Sequence, residues 1–350
     1  METRAPKLEL RTAPHLHAPR SVEQIMRNVV YALLPLCAFG VYAFGLSAAA
    51  LIAVVTASCL ATEQLFNRLA GREGTLGDGS AIITGILLAL TLPPGFPLWM
   101  GAIGGFVAIG LGKALFGGLG QNPLNPALVG RAFLQAAFPV AISTWTPAFV
   151  DGRFSHLIPA SLALPFMKPP AAALWQGHLP VDFVSGASPL ALYKFEHVMT
   201  PPLDLFTGMT SGSVGETSAW LILVCGAYLA ARRMLDWRIP VGVLASAFFA
   251  AGALHLVDAQ HYPDPLFMLL SGGLMLGAVF MATDMVGSPV TPLGVWLYGA
   301  LIGVLTIVIR VFGGLPEGVM YAILLGNAAT PLIEAATQPR VYGAGRRTRP

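Results

Sequence analysis

The sequence predicts an all-α integral membrane protein with about ten transmembrane helices in two inverted five-helix repeats, and with a long extracytoplasmic loop between helices five and six. Three observations predict this fold class. Hydrophobic residues make up 55% of the 350 residues and charged residues only 11%, whereas a soluble globular domain has about 25% charged residues. The mean hydropathy is +0.70, which favours a chain whose apolar surface faces lipid. The apolar residues also fall into ten stretches, separated by charged or Gly- and Pro-rich breaks.

Each apolar stretch is assigned to one span, because a membrane-crossing helix needs about 20 mostly apolar residues. The third span is short and ends at Leu92-Pro93-Pro94-Gly95. The predicted spans are 28–46, 47–64, 79–92, 97–116, 123–142, 217–234, 239–257, 266–284, 293–312 and 318–337.

The spans divide the chain into five parts. These are a cytoplasmic N-terminal tail at 1–27, a first membrane repeat at 28–142, a loop at 143–216, a second repeat at 217–337 and a cytoplasmic C-terminal tail at 338–350. With both tails in the cytoplasm, 15 of the 20 Lys and Arg residues lie on that side and one, Arg131, lies within the fifth span. The four placed outside are Arg153, Lys168, Lys194 and Arg310. This asymmetry agrees with the positive-inside rule.

Two sets of five spans must have opposite orientations, since each set has an odd number of crossings. Leu98 to Leu119 is similar to Val295 to Leu315, and both stretches end in Phe-Gly-Gly-Leu. The pattern favours an inverted repeat, with chance similarity between two Gly-rich apolar helices as the alternative.

The 143–216 loop is the only long connection, and its aromatic content predicts that it folds rather than stays disordered. It contains Asp182-Phe183-Val184-Ser185-Gly186-Ala187-Ser188. Small residues here would let an enzyme or a phosphate group approach the Ser188 oxygen closely. On spacing alone, such a run is more often only a turn.

Asp182 to Ser188 resembles the flavinylation motif Asp-x-x-Ser/Thr-Gly-Ala-Thr/Ser, at whose last hydroxyl a flavin transferase attaches FMN through its phosphate. About residues 20–340 are similar to the NqrB/RnfD family of membrane subunits of redox-driven ion pumps. The chain lacks the longer N-terminal extension of NqrB, which favours the RnfD branch. Further blocks that carry the resemblance are Asp78-Gly79-Ser80, Thr84-Gly85, Leu90 to Pro94, Gly120 to Ala127, Gly130 to Phe133, Gly215 to Ser218, and Met281 to Asp284 with Ser288-Pro289.

The resemblance implies a subunit of an Rnf complex, which passes electrons between ferredoxin and NAD and couples this to Na+ or H+ translocation. It implies covalent FMN on a periplasmic loop, a bacterial inner-membrane location, and as partners the other Rnf subunits (A, B, C, E and G), a flavin transferase and membrane lipid. The implied acceptor is Ser188, where the family usually has Thr, within a motif that includes Asp182, Ser185, Gly186 and Ala187. Thr210 is the reserve acceptor, because Asp204 to Thr210 repeats the pattern with Met209 in place of Ala.

Polar residues inside the spans are further candidates. A charge at Arg131 must face the bundle interior or snorkel, and it is a candidate partner for an anionic flavin or a carboxylate. Glu63 and Asp284 lie near span ends, where each serves an ion path or faces water. Lys113 is interpreted as an interfacial anchor and His255 as an interfacial residue. The resemblance also implies a second, non-covalent flavin, riboflavin or FMN, between the two halves. The candidate residues for it are Thr84, Asn122, Asn125, Thr283 and Asn327. The alternative is that these small polar residues only cross-link membrane helices.

Other functions are disfavoured by what the sequence lacks. The three cysteines do not have metal-ligand spacing, so no metal site is expected. No nucleotide-binding or hydrolase motif is present, so no complete catalytic site is expected on this chain. The Lys and Arg residues do not form a nucleic-acid-binding face, so no nucleic-acid partner is expected. Asn125-Pro126-Ala127 resembles a water-channel box, but the second half has no matching box. Two alternatives remain open: an NqrB-like subunit of a sodium-pumping NADH:quinone reductase, and a flavin-free transporter or channel for a small solute.

Overall fold

The computed structural model describes residues 21–71, 74–165, 188–259 and 261–339, and within these ranges it is helical with no β-strand. Short 3-10 turns lie at Leu76–Asp78 and Pro159–Leu162, and π-helical turns at Gly110–Ala114 and Gly277–Met281. The α-helices are α1 (Val22–Phe44), α2 (Leu46–Leu69), α3 (Ser80–Leu90), α4 (Leu98–Ile109), α5 (Pro126–Ala137), α6 (Pro139–Ser143), α7 (Pro189–Glu196), α8 (Pro202–Thr207), α9 (Ala219–Ala231), α10 (Arg238–Val257), α11 (Pro265–Leu270), α12 (Leu274–Leu276), α13 (Pro292–Phe312) and α14 (Val319–Thr337).

Three helices begin with the same local signal, a polar residue followed by proline. The side chains of Asn125, Ser188 and Thr291 each accept a hydrogen bond from a backbone N–H in the first turn of α5, α7 and α13. The proline that follows each cap has no N–H to leave unpaired, and its fixed φ suits the first helical position. These starts are therefore encoded locally.

Among the described residues, five helices are long and apolar enough to cross a membrane, namely α1, α2, α10, α13 and α14. This confirms a helical membrane protein. Several other predicted spans are shorter or divided. The 79–92 stretch forms only the 11-residue α3, and the 123–142 stretch is divided between α5 and α6 at Pro139, because proline cannot donate to the helix before it.

The predicted span 266–284 is the most interrupted, since it forms α11, α12 and a π-helical turn. Gly272 lies at the break with φ +63, a left-handed conformation that favours glycine. The break frees backbone carbonyls, and Arg310 of α13 supplies donors to two of them, Met268 O at 2.5 Å and Ser271 O at 3.0 Å. Irregular backbone at membrane depth is stable only where protein groups satisfy it in this way.

The end of the short helix α3 is satisfied by the chain that returns from the long loop. Val214 N donates to Leu92 O at 3.1 Å, and Gly215 N donates to Leu90 O at 2.8 Å. Val214 is fully buried. The described parts of the 143–216 loop are thus folded onto the helices, as expected, while residues 166–187 lie outside the described ranges.

The same kinds of helix pairs pack in both halves of the chain. In the first half α2 contacts α3 and α4, and α4 contacts α5; in the second half α10 contacts α11 and α13, and α13 contacts α14. The close approach of α10 and α13 depends on Gly303, where an added Cβ would lie 2.0 Å from Ser246 Oγ. Contacts of α1 with α9 and of α5 with α14 join the halves.

The two ends of the bundle are distinguished by the loop. Phe149 N donates to Ala43 O at 2.8 Å and Leu46 N to Arg153 O at 3.0 Å, so α1 ends on the side where the loop packs. We call that side, with α7 and α8, the loop face. The opposite side, where α1 begins at Val22, is the tail face.

Candidate functional site

Ser188 lies at the start of α7, on the loop face. Its Oγ accepts a hydrogen bond from Ala191 N at 3.3 Å and so caps the helix. The residue is only 3% exposed. The other motif residues, Asp182, Ser185, Gly186 and Ala187, lie outside the described ranges.

Ser188 and the reserve acceptor Thr210 line one small cavity of about 310 Å³. Glu216 and Glu317 also line it, together with Thr217. The Thr217 hydroxyl is buried and has no hydrogen-bond partner among the described residues. Both candidate acceptors are therefore brought together, beside two carboxylates and one unpaired hydroxyl.

Arg131 of α5 connects these two carboxylates. Its Nη1 donates to Glu216 Oε1 at 2.9 Å, and its Nη2 donates to Glu317 Oε2. The three side chains are 6%, 4% and 16% exposed. Glu317 is 186 residues from Arg131 in the chain, so the cluster joins the first half, the loop and the second half. The sequence offered an anionic flavin or a carboxylate as the partner of Arg131, and in the structure Arg131 pairs with carboxylates.

Sequence reasoning missed Glu317 and the role of Arg310. Arg310 was placed outside the membrane by the charge count, but it is 4% exposed and lies within the protein. The sequence does indicate that some carboxylate pairs with Arg131, because an arginine inside a membrane span requires a counter-charge. Nothing in the local pattern identifies which carboxylate provides it.

A second cavity, of about 800 Å³ including the part open to solvent, lies between the halves. It is on the side of the tail face, because Ile25 and Met26 at the start of α1 line it. It contains most of the residues expected around a second flavin, along with Asp284; these are Thr84, Asn122, Asn125 and Thr283.

Asn125 binds the two halves together beside this cavity, since its Nδ2 donates to Met281 O at 3.2 Å. Asn122 Nδ2 donates to Leu124 O at 3.2 Å. Asn327 does not line the cavity, and it hydrogen-bonds to Tyr298 Oη at 2.6 Å. Asn125 and Asn327 thus cross-link helices, while Asn122 and Asn125 make one wall of the cavity polar.

Lys113 is not the interfacial anchor that its position suggested. It is 4% exposed, and its Nζ donates to Glu63 Oε1 at 2.7 Å and to Ser80 Oγ at 2.6 Å. Ser80 Oγ donates in turn to Asp78 Oδ1 at 2.5 Å. Glu63 does not face water either, because its side chain is 5% exposed. Lys113 and Glu63 can both be buried because their opposite charges compensate each other.

A third group of polar residues lies on the loop face, where α13 ends. Lys194 Nζ donates to the carbonyls of Arg310, Gly313 and Leu315, so an ammonium group satisfies the end of a helix. Burial lowers the pKa of Lys194. Burial also raises the pKa of the Tyr193 phenol, with a contribution from the charge of Asp258. His255, expected at the interface, is half-buried, and its Nδ1 lies 2.8 Å from Tyr262 O.

These features define a helical membrane protein with buried ion pairs, with a polar cavity at Ser188 on the loop face and another toward the tail face. The model of the NQR2, RnfD, RnfE family matches residues 9–343. The chain belongs to this family.

Curated relatives are similar over nearly the whole chain. The chain is 42% identical over 341 residues to the D subunit of the Na+-translocating ferredoxin:NAD+ oxidoreductase complex of Acetobacterium woodii, covering 96% of this chain and 95% of the relative. It is 38% identical over 335 residues to the D subunit of the proton-translocating ferredoxin:NAD+ oxidoreductase complex of Clostridium ljungdahlii, covering 96% of both. It is 41% identical over 341 residues to the D subunit of the ion-translocating oxidoreductase complex of Stutzerimonas stutzeri, covering 94% of both.

Proposed function

We propose that this chain is the D subunit of an Rnf-type complex, which couples electron transfer between ferredoxin and NAD to translocation of Na+ or H+. The observation that carries the proposal is the similarity to relatives with this name over 94–96% of the chain. The relatives named here include both a Na+-translocating and a proton-translocating complex, so the proposal includes both cations. The other Rnf subunits are its expected partners.

Covalent FMN on Ser188 is the central part of this proposal, and the residues around Ser188 fit such a group. A phosphate ester at this hydroxyl would lie at the N-terminus of α7, where the helix dipole favours negative charge. The unpaired Thr217 hydroxyl in the same cavity is a free donor for a phosphate oxygen. Arg131 compensates the carboxylates that would otherwise repel the phosphate.

The burial of Ser188 sets a condition on how it is modified. A hydroxyl that is 3% exposed is closed to a transferase while α7 is packed. We therefore expect transfer either before α7 packs or during local opening of the loop. Such opening costs less free energy than global unfolding, because loop elements unfold locally at lower free energy than core helices.

The cavity near the tail face fits a second, non-covalent flavin. Thr84, Asn122 and Asn125 offer donors and acceptors for the polar edge of a ring, and Leu87 and Val279 offer apolar contact. When bound, a flavin supplies one- or two-electron chemistry, and the protein orients it and tunes its environment.

The proposed topology has ten spans in two inverted halves, both termini in the cytoplasm and the loop face in the periplasm. The equivalent packing of α2 with α4 and of α10 with α13 supports the repeat. In this arrangement Glu63 and Asp284 lie toward the cytoplasmic side and are the candidates for an ion path. Because Glu63 pairs with Lys113, an ion would have to compete with that ammonium group.

The test is to coexpress the full chain with its flavin transferase and to detect flavin fluorescence on a denaturing gel. We expect a fluorescent wild type, a dark Ser188→Ala variant and a fluorescent Thr210→Ala variant. The two hydroxyls line one cavity, so Thr210→Ala is the matched control. A dark wild type with active transferase would contradict the flavin assignment and favour the flavin-free transporter.

A further inference from the structure

We propose that a cavity between α7 and the C-terminal end of α13, the α7–α13 cavity, holds the isoalloxazine ring of the flavin carried on Ser188. The inference rests on the proposed function, and it assigns the position of the ring rather than its point of attachment. The residues that line the cavity and carry the argument are Leu190, Tyr193, Lys194, His197, Tyr262 and Arg310.

The α7–α13 cavity has the size and chemistry of a site for a flat aromatic molecule. Its empty volume is about 970 Å³, including the part open to solvent. Tyr193 and Tyr262 provide aromatic surfaces, and aromatic rings pair favourably in stacked or edge-to-face geometry. Arg310 and Lys194 provide positive charge.

The position of Ser188 on α7 places the cavity within reach of a tethered ring. Leu190, Tyr193, Lys194 and His197 follow the spacing of one helix face. With a rise of about 1.5 Å per residue, Tyr193 lies about 8 Å and His197 about 14 Å beyond Ser188 along the axis. The ribityl phosphate arm of FMN spans on the order of 10 Å by ordinary bond lengths.

The cavity at Ser188 itself is a poor place for the ring. Its empty volume is only about 310 Å³, including the part open to solvent, and it is the proposed place of the phosphate. Reduction adds negative charge to a flavin, and the Arg310 guanidinium at the α7–α13 cavity favours that charge. The two cavities share a thin wall at Gly272, where an added Cβ would lie 2.7 Å from Leu190 Cδ1 and 3.2 Å from Arg310 Nη2.

Arg310 has a buried N–H, at Nε, that no described protein group accepts. Its Nη1 and Nη2 atoms donate to Met268 O and Ser271 O, but its buried Nε has no hydrogen-bond partner among the described residues. More than about 90% of buried polar groups are paired, so an unpaired guanidinium N–H beside a cavity points to a ligand acceptor. The carbonyl groups of the ring are acceptors of that kind.

The end of α7 adds a second ring to the aromatic wall. His197 is the C-cap of α7, with φ +56, the left-handed conformation in which helices commonly end. Its ring contacts Tyr193 with centroids 5.8 Å apart, in edge geometry. The end of the helix therefore places the His197 ring beside Tyr193.

The test separates attachment from docking by using two measurements on the full chain coexpressed with the transferase. Denaturing-gel fluorescence reports the covalent bond, and acrylamide quenching of flavin fluorescence in the native protein reports the exposure of the ring. Tyr262→Ala removes part of the wall. Val311→Trp fills the cavity, because Val311 also lines it. His156→Ala, an exposed residue elsewhere on the loop face, is the control, and the Ser188→Ala chain provides the background from non-covalent flavin.

We expect equal gel fluorescence in all chains that keep Ser188, with a several-fold larger quenching constant in Tyr262→Ala and Val311→Trp than in wild type or His156→Ala. Unchanged quenching in both cavity variants at equal loading would show that the ring lies elsewhere, and would overturn the docking proposal alone. A dark wild-type gel band would overturn both proposals. Should Val311→Trp fail to fold, Tyr262→Ala at the half-buried cavity rim still decides the question.

Discussion

Replacing Arg131 with leucine should destabilise the protein strongly, because it leaves two buried carboxylates without their shared cation. The side chains of Glu216 and Glu317 are 4% and 16% exposed. Removing one partner of a buried ion pair costs about 3–5 kcal/mol. At about 2 °C per kcal/mol for a chain of this size, the apparent melting temperature in detergent should fall by roughly 6–10 °C.

The assay is thermal unfolding of the purified full chain in detergent, with Arg68→Leu as the matched control. Arg68 is exposed at the end of α2, where losing a single surface charge changes stability by about 0.5 kcal/mol or less. A chain with Arg131→Leu, Glu216→Gln and Glu317→Gln removes all three charges and should regain most of the lost stability, since replacing a whole buried charge cluster is often near neutral. An Arg131→Leu melting temperature equal to that of Arg68→Leu would refute the reasoning.

Three further substitutions test other parts of the structure. Lys113→Met should lower stability by about 3–5 kcal/mol through the uncompensated Glu63, and adding Glu63→Gln should restore much of it; thermal unfolding measures both. Asn125→Ala removes the cap of α5 and the bond to Met281 O, so it should cost about 1–2 kcal/mol, seen in the same assay. Gly303→Val should cost at least about 1–3 kcal/mol by overpacking α10 against α13, with reduced yield of folded chain in size-exclusion chromatography.

Each of these expectations has an outcome that opposes it. A Lys113→Met chain as stable as wild type would mean that the Glu63 carboxylate is not buried against this ammonium. An unchanged Asn125→Ala chain would remove the amide from the contact between the halves. Normal yield and melting of Gly303→Val would contradict the close approach of α10 and α13.

Local features of the fold were predictable from the sequence. Apolar length gave the positions of α1, α2, α10, α13 and α14 to within a few residues, except that α1 starts earlier than expected, at Val22. The polar-Pro pairs at Asn125, Ser188 and Thr291 are readable helix starts. These features depend on neighbouring residues alone, so the sequence displays them.

Interruptions were harder to predict because a tertiary partner stabilises them. Ser271-Gly272-Gly273 is a visible weak point in the 266–284 stretch, yet hydropathy alone favours a continuous helix. The break is stable because Arg310, about 40 residues later, donates to the freed carbonyls. A local pattern contains no information about that donor.

In the candidate sites, too, some features could be predicted from the sequence, and others depend on a residue that is distant in the chain. The sequence predicted that Thr84, Asn122, Asn125, Thr283 and Asn327 surround one site between the halves. The structure places the first four around one cavity and Asn327 outside it, and flavin binding there stays a prediction. Long-range charge pairing was not predictable: Lys113 looked like an interfacial anchor, but it pairs with Glu63 from 50 residues away. Placing a charge by its distance from a span end fails where the helix end is buried in protein.

The most direct test of the flavin assignment is mass spectrometry of the peptide that contains Ser188, taken from full chain coexpressed with the transferase. We predict an FMN phosphoester on Ser188 in wild type and none on Thr210, and the same modification at this position in Ser188→Thr, because both hydroxyls form the ester. An unmodified Ser188 peptide together with a modified Ser188→Thr peptide would show that the transferase is active but does not use serine, and would contradict the assignment of Ser188 as the flavin-bearing residue.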